Sequence, residues 1–272
     1  MTSDIKRESI LVKKRRRVGI IALHRPDYLN AIDSIMAREI REQIDIFNKD
    51  KNIGAIILTG SGRAFCSGAD VSGFEANVRG EPCGIDERIE RFSKWPLFIK
   101  HSKPIICALN GYAIGLGITM PLGCDIRVMS ESAKISFRFA YIGLTPEYAS
   151  THLLVQAVGI GKAMEFMLTG RFIGSKEALK TGLVNHVYPD DQLMDKTMDL
   201  ADLIAFNPAW QLGEIKRMIR DHQFMDDPAR VMEIESDIFS QSQRTDAHKE
   251  FLVSFREKRQ PNYHQMSSST NL

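Results

Sequence analysis

Short, nearly uninterrupted apolar runs alternate with longer amphipathic stretches through the first two-thirds of the chain, and only amphipathic stretches follow. Residues 18–23, 55–59, 105–109 and 125–129 are such runs, bounded by glycine, asparagine or charged residues, and they predict buried strands. Between the first two, Ile32, Met36, Ile40, Ile44 and Phe47 recur at helical spacing, with Asn30 placed to cap the helix they predict. Residues 118–122 read as the start of a short buried helix, and residues 162–169 as a helix ended by Gly170. Ser175 is placed to cap another helix, which stops at Gly182 before an apolar strand at 183–187. The polar stretch 75–90, with Gly80, Pro82 and Gly84, reads as a mobile loop opening into a helix near Asp86. From about residue 190 the strand pattern disappears. Helical segments punctuated by Pro208 and Pro228 remain, with Thr245 in capping position for the last. Strands and helices that alternate, then helices alone, imply an α/β core with an α-helical tail.

Composition narrows the class without deciding it. The chain has 272 residues, enough for one large core, and its formal net charge of +2 gives no reason to expect a polyanionic partner. The apolar fraction of 43% and charged fraction of 26% are those of an ordinary globular protein. No apolar run reaches membrane-spanning length, and the first residues lack the apolar core of a signal peptide. Cys66, Cys83, Cys107 and Cys124 form no CxxC pair, which fits a reducing, cytoplasmic setting. The polar end, residues 267–272, is not the Ser-Lys-Leu address. The one dense basic run, residues 13–17, immediately precedes a strand. It reads as a solvated charged edge beside a hairpin turn rather than as a nucleic-acid site. The histidines show no metal spacing.

Two strand–turn units carry the candidate chemistry. The run 105–109 enters Asn110-Gly-Tyr-Ala-Ile-Gly-Leu-Gly-Ile-Thr119, where a glycine-rich turn meets a helix start. Such a junction presents unpaired backbone N–H groups at the positive end of a helix dipole. It is not a dinucleotide fingerprint, because the GxGxxG spacing fails at Met120, and no Gly-Lys-Ser/Thr follows to make a P-loop. The run 55–59 enters Ser61-Gly-Arg-Ala-Phe-Cys-Ser-Gly-Ala-Asp70, a second small-residue loop. Together the loops could supply one N–H each to a single oxygen that becomes anionic during a reaction.

At these residues the chain resembles the crotonase (enoyl-CoA hydratase/isomerase) superfamily. The matching segments are His24-Arg-Pro-Asp-Tyr-Leu-Asn-Ala31, the loop 60–70, Lys103-Pro-Ile-Ile-Cys-Ala-Leu-Asn-Gly-Tyr-Ala113, Cys124-Asp-Ile-Arg127, Leu168-Thr-Gly-Arg171, residues 178–185 and residues 255–261. They occur in family order over nearly the whole chain. The resemblance implies a crotonase-like core of ββα spiral turns over residues 1–200. It implies a C-terminal α-helical trimerisation region over 201–272, assembled as a homotrimer or hexamer. It also implies an acyl-CoA substrate, with coenzyme A arriving as part of that substrate and no further cofactor or metal.

Residue by residue, the resemblance assigns the oxyanion-binding amides to Ala69 and Leu116. The second position is often glycine in the family, but the donor is main-chain, so a leucine can keep the role. Family hydratases carry one glutamate where this chain has Thr119 and a second where it has Phe139. The carboxylate pair that would hold and deprotonate a water is therefore missing. Asn110…Ile118-Thr119 and Pro146-Glu147-x-x-Ser150 together instead resemble the peroxisomal-type Δ3,Δ2-enoyl-CoA isomerase branch, in which the glutamate after the proline is the catalytic base. A lone carboxylate suffices for isomerisation, and burial in an apolar pocket would raise its pKa toward the value that proton return needs. The same resemblance points to Arg25, to the main chain of Ser67, Gly68, Asp70 and Val71, and to Lys258 as substrate contacts, with Phe65, Phe74 and Tyr112 lining the groove. Asp70 reads as a structural carboxylate bonding nearby loop amides, His24 as structural, and His152 as a candidate to tune Glu147. Two alternatives stay open: a hydratase that uses Glu147 with a second group, and a non-catalytic relative that binds acyl-CoA or RNA.

Overall fold

In a computed structural model, which describes residues 5–72 and 94–264, the apolar runs become the middle of a seven-stranded sheet. Its strands are β1 (Ile5–Lys6), β2 (Ile10–Arg15), β3 (Val18–Leu23), β4 (Ala55–Gly60), β6 (Ile105–Leu109), β8 (Ile126–Ser130) and β11 (His186–Tyr188), in the order β1-β2-β3-β4-β6-β8-β11. The first three pair antiparallel, and every pairing from β3 to β11 is parallel. A parallel sheet covered on both faces needs apolar side chains at consecutive positions, which is why these segments are runs rather than alternations. Ile56 and Leu58 of β4, with Ile105, Cys107 and Leu109 of β6, point into the larger core. Their neighbours Ala55, Ile57, Ile106 and Ala108 point the other way, against Met198, Ala201 and Ala205 of a later helix.

A second, four-stranded sheet runs in the order β10-β9-β7-β5. It consists of β5 (Ala64–Cys66), β7 (Tyr112–Ile114), β9 (Lys134–Ser136) and β10 (Ile173–Gly174). Each of β4, β6 and β8 thus passes from the main sheet into a short strand of the small one. β6 and β7 lead on into helix α3 (Leu116–Gly123), and β8 and β9 into α4 (Ser150–Thr169). This is the ββα spiral. Helices α1 (Ser34–Lys49) and α2 (Trp95–Lys100) cover the larger core, burying Met36, Ile40, Ile44, Phe47, Trp95 and Ile99. Helices α5 (Ser175–Lys180) and α6 (Leu193–Phe206) follow, α6 closing the other face of the main sheet. Residue 200, expected to part core from helical region, falls inside α6. Beyond it come α7 (Ala209–His222), α8 (Pro228–Ser242) and α9 (Asp246–Glu257), the last capped by Thr245 as expected.

Several local expectations are corrected. Asn30 does not cap α1. It sits at φ 56°, with its side chain buried, and the cap is Asp33, which accepts from the Met36 amide at 2.8 Å. Ser175 gives its hydroxyl to the Glu131 carbonyl, 2.8 Å away, rather than capping α5. The helix ending at Gly170 begins at Ser150, earlier than its apolar spacing suggested, because Gly159 (φ 75°, ψ 160°) interrupts it. The strand placed at 183–187 begins only at His186. The loop and helix expected at 75–90 lie outside the described residues.

The basic run 13–17 forms the β2–β3 hairpin, turning at Arg16 (φ 54°). It is less free than a solvated edge. Lys14 pairs with Asp50 at 2.7 Å, Arg16 pairs with Asp202, and Arg17 donates to the Ala205 carbonyl at 3.1 Å. The hairpin is a latch onto α1 and α6.

Candidate active site

The site is built where two neighbouring parallel strands end. β5 and β7 pair in parallel, so the segments leaving their C-terminal ends, residues 67–70 and 115–116, emerge side by side. Only glycines allow the backbones to come this close. A Cβ at Gly111 would overlap the Arg63 carbonyl oxygen, and one at Gly117 would overlap that of Cys66. Two asparagines then fix the first loop. Asn30 Nδ2 donates to the Ser61 and Ala64 carbonyls at 2.9 and 2.8 Å, while its Oδ1 accepts from Arg25 N at 2.9 Å. Asn110 Oδ1 accepts from Gly60 N, and its Nδ2 donates to the Gly62 carbonyl, both at 3.0 Å. The sequence reading gave neither asparagine this role. Their presence within the matching motifs was the available signal.

The amides of interest stay unused. Around Ala69, Ile32 N donates to the Gly68 carbonyl at 2.8 Å and Asp70 N to the Ile32 carbonyl at 2.9 Å, which leaves the Ala69 N–H out of the pairing. Leu116 is the first residue of α3, where a helical N–H has no partner in its own helix. Among the described residues neither amide has an acceptor. The turn into α3 is made by Gly115 at φ 53° and ψ −119°, a conformation that a side chain would resist.

Glu147 reaches this helix start from the other side. Its Oε1 lies 2.5 Å from the hydroxyl of Thr119, which is fully buried one turn into α3. Burial in largely apolar surroundings pushes the Glu147 carboxyl above its usual range, while the Thr119 hydrogen bond works in the opposite direction. The loop that aims it is strained. Tyr148 and Ala149 follow at φ 58° and 54°, left-handed values that non-glycine residues rarely take in succession. Phe139 lies buried in the core and offers no polar group.

The other named residues divide. Arg25 Nη1 donates to the Ala31 carbonyl at 2.7 Å and pairs with Asp70 at 2.9 Å and Asp33 at 3.1 Å. Asp70 also accepts from Ser72 N and Oγ at 3.1 and 2.8 Å, so it organises its loop. Ser67 donates its hydroxyl to the Tyr28 carbonyl at 3.3 Å. Gly68 takes φ 118°, and its N–H donates to Cys66 Sγ at 3.3 Å. Val71 is exposed beside them, and Tyr112 is half-exposed with its ring edge-on to Phe172. Phe65 does not line a groove; it is wholly within the core. Cys66 is buried too, its thiol pushed up to about 12 by desolvation, which removes it as a nucleophile. His152 stacks on Phe224 with centroids 4.9 Å apart and makes no hydrogen bond to Glu147. Lys258 ends α9 in a left-handed turn, and among the described residues no hydrogen bond or ion pair links it to Glu147, Ala69 or Leu116. Phe74 lies outside the described residues.

Two neighbouring strand ends, with amides that have no acceptor among the described residues, lie beside one half-buried carboxyl bonded to the first turn of α3. Known proteins supply the family. Residues 13–266 match the family model described as enoyl-CoA hydratase/isomerase. The chain belongs to the enoyl-CoA hydratase/isomerase family. It is 33% identical over 252 residues to a probable mitochondrial enoyl-CoA hydratase of Dictyostelium discoideum, covering 93% of this chain and 89% of that protein. It is 32% identical over 259 residues to the 1,2-epoxyphenylacetyl-CoA isomerase of Escherichia coli, covering 94% and 98%. The crystal structure of an enoyl-CoA hydratase from Bacillus anthracis superposes with a TM-score of 0.84 at 28% identity, covering 95% and 100%. The protein is therefore an enzyme of this family, with a crotonase fold. The relatives' names span water addition and isomerisation, so the family alone does not choose the reaction.

Proposed function

We propose that the protein is an enoyl-CoA double-bond isomerase that converts 3-enoyl to 2-enoyl thioesters with Glu147 as the proton carrier. The observation that carries this reading is the carboxyl of Glu147, bonded to the first turn of the helix whose Leu116 amide is free among the described residues. The Glu147 carboxylate takes a proton from C2. The electron pair moves into a dienolate whose oxygen accepts from the Ala69 and Leu116 amides. The Glu147 acid then returns the proton at C4, and the double bond comes to rest between C2 and C3. Each amide is worth about 3 kcal/mol by analogy with measured oxyanion holes. The raised carboxyl suits both halves of the transfer, since a proton it takes must also be released. No cofactor enters these steps; coenzyme A comes with the substrate. Arg25, Ser67, Gly68, Asp70, Val71, Phe74, Tyr112 and Lys258 remain the proposed substrate contacts.

Assembly as a trimer or paired trimer is part of the same reading. Met232, Phe239 and Phe255 of the C-terminal helices are more than 60% exposed in the single chain (66%, 65% and 71%), and α7 and α8 leave an apolar groove of about 520 Å³ lined by Trp210, Met218, Met232 and Phe239. A cytoplasmic location, expected from the cysteine pattern, belongs here as well.

The test offers 2-enoyl, 3-enoyl and 3-hydroxyacyl thioesters of several chain lengths and follows products by mass spectrometry in heavy water. Isomerase activity appears as conversion of the 3-enoyl to the 2-enoyl thioester with no 3-hydroxyacyl thioester, and deuterium at C4 counts only the turnovers in which the Glu147 acid exchanges with solvent before it returns the proton. Glu147→Gln is expected to keep thioester binding and lose about three orders of magnitude in turnover. An undiminished rate in that variant removes Glu147 from the chemistry. The names of the Dictyostelium and Bacillus relatives favour hydration as the second reading, which accumulation of 3-hydroxyacyl thioester would select. Binding with no exchange at C2 would instead mark a non-catalytic acyl-CoA binder.

A further inference from the structure

Thr169 and Thr197 of helices α4 and α6, and Thr181 just past the end of α5, turn their hydroxyls back on their own backbone. Thr169 donates its hydroxyl to the Glu165 carbonyl at 2.6 Å, Thr181 to that of Glu177 at 2.9 Å, and Thr197 to that of Leu193 at 2.6 Å, each four residues earlier. That is the ordinary resting place of a helical hydroxyl. Thr119 has the same option, since the Gly115 carbonyl lies four residues back and already accepts from the Thr119 amide at 3.0 Å. Its hydroxyl turns outward instead, to Glu147 Oε1 at 2.5 Å. Thr119 is fully buried, and Glu147 is half-buried. A buried hydroxyl that gives up its local acceptor for a carboxyl twenty-eight positions away in sequence is there for that carboxyl.

We propose that Thr119 is the positioning residue of the Glu147 carboxyl, holding it in one orientation while carboxylate and acid interchange. This rests on the reading of Glu147 as proton carrier and deepens it. The hydroxyl can donate to Oε1 in both states, to the carboxylate and to the carbonyl oxygen of the acid, and it binds the charged form more strongly. With Oε1 engaged by Thr119, Oε2 is the oxygen that exchanges the proton with C2 and C4. A threonine hydroxyl does not titrate in the working range, so it adds no second acid or base. Where family hydratases carry a glutamate, this chain carries a group that can steer a carboxyl but cannot replace one.

The experiment compares Thr119→Val, which keeps shape and loses the hydroxyl, with Thr119→Ser, which keeps the hydroxyl. Thr119→Ala replaces the valine variant if that one fails to fold. Two readouts are taken: kcat and KM for a 3-enoyl thioester across pH, and the titration of the Glu147 carboxyl band in infrared difference spectra of the free enzyme against Glu147→Gln. The valine variant is expected to lose kcat on the order of ten- to a hundredfold with KM little changed, as a misaimed group does. The acidic limb of its rate profile and its carboxyl titration are both expected to move to higher pH, because the carboxylate form has lost its donor. Serine is expected to restore both. A valine variant with wild-type kcat and an unmoved carboxyl titration overturns the proposal. If the wild-type enzyme turns over no 3-enoyl thioester, the isomerase reading fails by itself. The carboxyl titration then decides Thr119: a shift restored by serine upholds the contact, and no shift overturns it.

Discussion

The two ends of helix α3 are treated in opposite ways. At its C-terminal end the Met120, Pro121 and Gly123 carbonyls all have donors. Arg127 Nη1 reaches the Pro121 and Cys124 carbonyls at 3.4 Å each, and Arg220 Nη2 donates to the Gly123 carbonyl at 2.8 Å. The neighbouring Asp125 accepts from Ile105 N at 2.8 Å, Lys216 Nζ at 2.7 Å and Arg220 Nη2 at 2.9 Å. Cations at a helix C-terminus complement its dipole, and a carboxylate ringed by charged donors is held in place. At the N-terminal end the Leu116 amide is left without an acceptor among the described residues, and the nearby carboxylate has a hydroxyl where Asp125 has two cations. The difference separates structure from chemistry. Saturation with charged partners makes a carboxylate a fastener; a half-buried carboxyl that has a neutral hydroxyl for a side-chain partner is instead raised above its usual range by burial.

Three perturbations should break or sharpen this contrast. The largest effect is expected from Asp125→Ala, which strands the buried Lys216 ammonium and the Ile105 amide. It should cost about 4 kcal/mol of folding stability, seen in chemical denaturation, with turnover per folded molecule retained. Next comes Gly117→Ala. Its new methyl group collides with the Cys66 carbonyl and forces the start of α3 away from the end of β5. Turnover should fall about a hundredfold, as when one oxyanion donor is lost, while Asp125 keeps its partners. An alanine variant with wild-type kcat would mean that the close approach of these strand ends is not needed.

The smallest effect has the opposite sign. The folded state raises the Glu147 carboxyl above its ordinary value, so the folded chain binds that proton more tightly than the unfolded chain does. Glu147 is then no burden below the ordinary carboxylate range and becomes a penalty as pH rises through the raised value. Glu147→Gln is therefore expected to raise the melting midpoint slightly at neutral pH, and the gain should vanish in acid. A loss of stability at neutral pH would place Glu147 with the fasteners, alongside Asp125.

The sequence exposed the main-sheet strands more readily than the small sheet. Residues 18–23, 55–59 and 105–109 are legible because each face of the sheet is covered and every position is apolar. β5 and β7 are three residues each and embedded in glycine-rich turns, and β7 looked like part of one. They exist through pairing with segments far along the chain, which a local pattern does not record. Asn30 was mistaken for a helix cap because the residue type suits either role; the Ser61 and Ala64 carbonyls that claim its side chain lie about thirty positions on. The main-chain candidates Ala69 and Leu116 could be named from motif matches, and Glu147 from the proline before it. Thr119 was legible as part of the isomerase-branch motif and as a missing carboxylate, with no role for its hydroxyl. Its hydroxyl gains meaning from a partner that folding alone supplies.

The left-handed pair that follows Glu147 carries a consequence for chirality. Tyr148 and Ala149 hold the loop in a region that L-amino acids occupy only under constraint. A synthetic chain carrying D-alanine at position 149 would find there its own preferred geometry. The mirror-image residue, ruinous in any of the nine helices described, would be at home in the turn that follows Glu147.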